Sequence, residues 1–248
     1  MKNSINILGA GAMMFALSMP VNANAGDYPV AVNSRPQTLP GGAWAAQASF
    51  RAGGDFEIMA LGLGGSYAIN DELELGLGGI GMIITPEFAV SESLDLGVAY
   101  SVHRDGPLDI AATLGLPLSF EEGADPVSSI GLGAMTRYNL MDGNLSIHTG
   151  DDLIGINFGG DDLVAMLHLP VGFAYQVNEN INIRLDTMLA MIPLTGGDLV
   201  SIADVTPVNL MFGYSVDNKM DVGLMVAGDL QNFGDTLNLA VGVAYRGL

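Results

Sequence analysis

Residues 236–248 read TLNLAVGVAYRGL. On an extended chain successive side chains point to opposite faces. Leu237, Leu239, Val241, Val243 and Tyr245 therefore share one face, and Asn238, Ala240, Gly242, Ala244 and Arg246 share the other. The same alternation runs from Ala43 onward, cut at a regular beat by Asn, Asp and Gly. Five of the breaks are short and polar: NDE (70–72), RDGP (104–107), MDGN (141–144), NEN (178–180) and DNK (217–219). These residue types tolerate the positive φ of tight hairpin turns. The breaks near 52–55, 85–93, 121–127, 159–162, 193–205 and 232–235 vary more, and several are longer.

The pattern predicts twelve strands, at 43–51, 56–69, 73–84, 94–103, 108–120, 128–140, 145–158, 163–177, 181–192, 206–216, 220–230 and 236–247. An even count, segments of about ten residues, and short turns alternating with variable loops are the marks of an all-β, antiparallel up-and-down barrel that spans a membrane. A propeller does not fit, because each repeat of the beat holds two strands and a blade needs about four. Residues 26–42 contain Pro29, Pro36, Pro40 and a Gly pair with little periodicity, and read as an irregular lead-in to the barrel at 43–248.

The aromatic residues decide which face is outside. Tyr67, Tyr100, Tyr138, Tyr175, Tyr214 and Tyr245 each lie a few residues before a tight turn or the last residue, on the aliphatic face of an even-numbered strand. Trp44 opens the first strand at the same end. Together they form one ring, as Tyr and Trp do where a bilayer meets water. Phe50, Phe120 and Phe158 lie near the opposite strand ends and offer a second, weaker girdle. A soluble barrel would instead have to coat itself in Gly and Ala.

Composition narrows the setting. Lys2, an apolar run over 5–19 and small residues up to Ala25 have the three parts of a secretory signal, with cleavage expected before Gly26. That run is too short for a spanning helix, which needs about 20 residues. There is no cysteine, so disulfides and thiolate chemistry are excluded. The net charge of −19 argues against nucleic acid and favours neutral or cationic permeants.

In the last strand Gly242, Tyr245 and Leu248 follow the pattern of a glycine, an aromatic and a terminal apolar residue. With the alternation, this resembles the outer-membrane β-barrels of Gram-negative bacteria, although Leu248 stands where a terminal aromatic is usual. The resemblance covers 1–25 and 43–248. It implies short periplasmic turns, both termini in the periplasm, insertion by the barrel assembly machinery, and an outer-membrane setting of lipid and lipopolysaccharide.

Parity then assigns the lumen. Glu74, Asp109, Asp221 and Arg246 point inward near the tight-turn end, with Arg137, His148, Arg184 and Asp186 slightly deeper. Met135, Met188, Met211 and Met225 follow at mid-height, with Met82 and Met166 higher. Two functions fit. One is a passive, porin-like channel for small solutes, with the lumen charges orienting water and solute. In the other the methionines form a soft constriction for small hydrophobic compounds. The charges would equally serve a closed structural barrel, and the loops an adhesive one. An outer-membrane hydrolase lacks its constellation, since His103, His148 and His168 all point inward with no serine placed for attack. No cofactor or metal motif is present.

Overall fold

The structure, a computed structural model, describes residues 28–53, 57–159, 163–195, 200–201 and 206–247. The expected signal over 1–25 lies outside the described residues, as does Leu248. Fifteen strand segments form one antiparallel sheet: β1 (Trp44–Gly53), β2 (Ile58–Ala68), β3 (Leu73–Thr85), β4 (Ala89–Val90), β5 (Ser93–His103), β6 (Leu108–Ser119), β7 (Ser129–Leu140), β8 (Leu145–His148), β9 (Ile154–Asn157), β10 (Val164–Gln176), β11 (Ile181–Pro193), β12 (Val200–Ser201), β13 (Pro207–Ser215), β14 (Met220–Asp229) and β15 (Asn238–Gly247). The two-residue segments β4 and β12 are flaps on β3 and β11. Segments β8 and β9 both lie between β7 and β10 and make one wall strand. The wall is therefore a closed barrel of twelve strands. Closure runs from Trp44 opposite Gly247 to Gly53 opposite Asn238, so no strand edge is left without backbone partners there.

The alternation places greasy residues outside. On β15, Val241, Val243 and Tyr245 are exposed while Ala240, Ala244 and Arg246 are buried. This inverts the pattern of a soluble domain. The tight turns owe their form to side-chain caps. The Oδ1 atoms of Asn70, Asn178 and Asp217 each accept two backbone N–H bonds, from Glu72 and Leu73, from Asn180 and Ile181, and from Lys219 and Met220, at 2.7–2.9 Å.

Three departures from the expected pattern matter for the lumen. First, the strand expected over 145–158 is broken. Thr149 keeps its backbone bond to Thr136, and Leu153 keeps its bonds to Leu132 and His168, but residues 150–152 leave the wall and lie over β7, where the Asp151 carbonyl occupies the space a side chain on Gly133 would need and accepts from Thr113 Oγ1. Pro170 on β10 faces the break, with its ring 3.2 Å from where a Cβ on Gly150 would stand. Proline has no N–H, so the missing neighbour leaves no donor unpaired at that residue.

Second, Gly79 adopts φ +74 and makes a bulge in β3. Leu77 and Ile80 are both outside, so the parity flips between them. Met82 then shares the outer face of Ile80 and Ile84 rather than pointing inward. Third, the lead-in is folded. Tyr28 and Leu39 pack with Ala43, Ala68 and Ala244 inside the tight-turn end of the barrel, around a short 3-10 turn at Val32–Ser34.

Candidate functional site

The site is the lumen. Residues 28–42 lie across its tight-turn end, and Arg35 is their anchor. Arg35 is 0% exposed. Its Nη1 and Nη2 donate to the two carboxylate oxygens of Asp221 at 2.7 and 3.1 Å, and Nη2 also donates to Ser215 Oγ at 3.0 Å. Arg246 shares the same carboxylate. Both guanidiniums also lie over the Tyr28 ring, 5.5 Å from its centroid for Arg35 and 5.6 Å for Arg246, so its π face helps offset two cations that meet a single anion. Burial lowers the Arg35 pKa to about 10, which leaves it charged at neutral pH, and burial raises that of the Tyr28 hydroxyl.

Other inward residues hold the rest of the segment. Asp109 accepts from the Gln37 amide at 3.0 Å and from Arg137 at 3.3 Å, and Arg137 also donates to the Arg35 carbonyl. Glu74 accepts from the Leu39 amide at 2.7 Å. Gln176 accepts from the Asn33 amide at 3.1 Å. Thus Glu74, Asp109, Arg137, Asp221 and Arg246 surround residues 28–42. The remaining three candidates form a separate cluster, with His148 Nε2 2.6 Å and Arg184 Nε 2.7 Å from the Asp186 carboxylate.

Met211 and Met225 are directly paired across β13 and β14. Met188 stands opposite Pro170, and Met135 opposite Ala111. Only Met135 of these four lines the open part of the lumen.

That open part is a cavity of about 770 Å³. Gln37 and Leu39 form its floor. Its wall comes from β1–β3, β5–β7, β9, β10 and, through Ala244, β15, and β11, β13 and β14 contribute nothing. The reason lies in side-chain size. Gly76, Gly97, Gly115, Gly131 and Gly155 are paired residue to residue across five neighbouring strands. The other side carries long inward chains such as Arg184, Met211 and Met225. The inward segment 150–152 adds Asp151 and Asp152 to the lining, and Asp152 lies 3.2 Å from His168. Four carboxylates line the cavity, those of Glu74, Asp95, Asp151 and Asp152, with no Lys or Arg among the described residues.

On the outer wall Trp44 and the tyrosines at 67, 100, 138, 175, 214 and 245 are all 43–51% exposed. Trp44 pairs opposite Tyr67, and its ring lies 5.9 Å from that of Tyr245. Phe50, Phe120 and Phe158 are exposed towards the other end.

Together the wall and its apolar outer face define a closed, twelve-strand antiparallel β-barrel. Among solved structures the chain is similar to the KdgM porin, at 12% identity and TM-score 0.55 over 81% of this chain and 98% of that one. It is similar to the NanC porin at 10% identity and TM-score 0.55, over 82% and 98%. A KdgM porin in complex with disordered oligogalacturonate matches at 11% identity and TM-score 0.54, over 82% and 98%. These identities carry the fold alone. No family model and no curated protein sequence matches the chain.

Proposed function

We propose that the chain is an outer-membrane channel for small neutral or cationic solutes, closed in this conformation by residues 28–42. The observation that carries this reading is the cavity of about 770 Å³ inside a closed barrel wall, floored by a lead-in segment rather than by strands. A volume of this size suits one small molecule. The aromatic ring around Trp44 and Tyr67 sits at the periplasmic headgroup level, with both termini and the tight turns on that side, and the longer loops face lipopolysaccharide.

Oligogalacturonate is polyanionic, and a cavity lined by four carboxylates without Lys or Arg repels such a ligand, so the solute differs from the one in the KdgM complex. The full burial of Arg35 and Thr38 favours a second reading, a permanently closed structural barrel. Single-channel recording of the refolded chain in a planar bilayer under a salt gradient separates the two. Discrete openings with cation preference support the channel. Silence from a verified folded barrel, and from its Arg35→Ala variant, leaves the structural barrel.

A further inference from the structure

We propose that residues 28–42 clamp the barrel seam, the line where the first strand of the wall meets the last. Such a clamp acts in a barrel that never conducts as well as in one that does, so it stands apart from the channel reading.

The seam differs from the other junctions of the wall. Each of those joins wall strands that follow one another in the chain. The β1–β15 pair joins residues 44–53 to residues 238–247, with all the other strands between them in sequence. Loop-closure entropy grows with the length of chain enclosed, so this pair is the costliest to bring together. An open seam would also bare two strand edges to oil.

Side chains cover the tight-turn end of this line on both faces. Outside, the Trp44 indole lies across Gly247, in the space a side chain there would need, and its ring is 5.9 Å from that of Tyr245. Inside, Tyr28 and Leu39 are the two buried apolar side chains of residues 28–42. They come from opposite ends of the segment, yet both join one cluster with Ala43, Ala68 and Ala244, and Ala45 packs beside it. Ala244 belongs to β15, Ala45 to β1 and Ala68 to β2, so the patch straddles the seam. Arg246 stands opposite Ala45 across the seam, with its guanidinium 5.6 Å from the centroid of the Tyr28 ring. Alanine at these wall positions leaves the room that Tyr28 and Leu39 fill.

A tight turn delivers the segment to this place. The Ala43 amide donates to the Pro40 carbonyl at 2.9 Å, and Gly42 takes φ +83, as a type II turn requires at its third residue. The chain before β1 thus folds back into the lumen, and Leu39 comes to rest on the inner face of the seam. Because Tyr28 and Leu39 lie near the ends of the segment, the span between them, with Arg35 and Gln37, can shift while the seam stays clamped.

The chain has no cysteine, so a single disulfide can be introduced without competing thiols. Directly opposite residues on neighbouring strands lie within reach of one. Ser49→Cys with Gly242→Cys staples the seam, and Ala112→Cys with Ala134→Cys staples β6 to β7. The refolded full chain is heated in detergent, and the loss of its heat-modifiable gel migration gives a midpoint. Tyr28→Ala with Leu39→Ala is expected to lower that midpoint by about 10 °C. In the chain with the stapled seam the same two substitutions should cost less than half as much, whereas with β6 stapled to β7 they should cost as much as in the unstapled chain, because only the first staple does the work of the clamp. An unchanged midpoint in the folded double variant, or an equal loss in all three backgrounds, overturns the proposal. Leu39→Ala alone is read in the same way if the double variant does not refold.

Discussion

Replacing Arg35 by Ala tests the closure most directly. Arg35 ties the lead-in to the barrel across 186 positions of sequence, through a two-pronged pair with Asp221 and a bond to Ser215. Both charged side chains are almost fully buried, at 0% and 3% exposure, so solvent screening does not discount the pair. Breaking a buried pair from one side costs about 3–5 kcal/mol, largely because the other charge is left uncompensated. Asp221 keeps Arg246, so the lower end applies, about 3 kcal/mol. Each 1.4 kcal/mol is about tenfold in an equilibrium, and the ratio of open to closed barrels should rise roughly a hundredfold. The wall strands do not include Arg35, so the variant should still insert and resist heat on a gel. The readout is open probability in single-channel records, against wild type and Arg35→Lys, which keeps the charge and loses the fork. An unchanged open probability in a folded Arg35→Ala barrel would refute the assignment of residues 28–42 as the closing element.

Three further outcomes follow from the same geometry. Leu114→Arg places a charge on the outer wall at mid-strand and should cost about 2–4 kcal/mol, while Tyr138→Arg at the ring should cost about 0–1 kcal/mol; urea unfolding from vesicles measures both, and equal costs would sink the lipid-facing assignment. Gly133→Ala meets the Asp151 carbonyl and should destabilise by about 1–3 kcal/mol, whereas Gly115→Ala, whose nearest non-neighbouring atom would be 3.9 Å away, should be close to neutral in the same assay. The Asp217 carboxyl is held below its ordinary pKa by the backbone amides of Lys219 and Met220. Its contribution is present above the unfolded-state value and lost as pH falls through the folded one, so the difference in urea midpoint between wild type and Asp217→Ala should narrow as the medium becomes more acidic than the usual Asp range.

The wall was legible because each strand carries its own signal. Period-two alternation, tight Asn and Asp turns and the repeated tyrosines are local, and each constrains one hairpin without knowledge of the rest. What fills the wall was not. The hold on residues 28–42 depends on pairs such as Asn33 with Gln176 and Arg35 with Asp221, between segments with no shared pattern. One hint was present: the chain has only eight Lys and Arg, and Arg35 sits in the lead-in while several inward carboxylates gather at the same end. The bulge at Gly79 and the break at 150–152 were hidden for a different reason. Alternation continues in type on either side of both, so composition hides a one-residue slip that turns Met82 outward and a three-residue excursion that carries Asp151 inward. For the methionines, parity fixes the face of a residue and says nothing of its height or its place around the barrel.

The two halves of the lumen then divide the work between them. Long side chains on β11, β13 and β14 fill one half and anchor the closing segment through Asp221. The glycine row on β3, β5, β6, β7 and β9 leaves the other half open. Gln37 and Leu39 belong to both, because they are part of the closing segment and form the floor of the cavity. A solute resting on Gln37 contacts the barrel in its closed form, and a ligand shifts an equilibrium only towards the state it binds better. Occupation of the floor therefore favours closure, and passage requires the ligand to leave Gln37 as the segment moves. A solute that binds tightly there should act as a blocker, and one that binds weakly as a permeant, so affinity for the floor and rate of transport should run in opposite directions across a series of solutes.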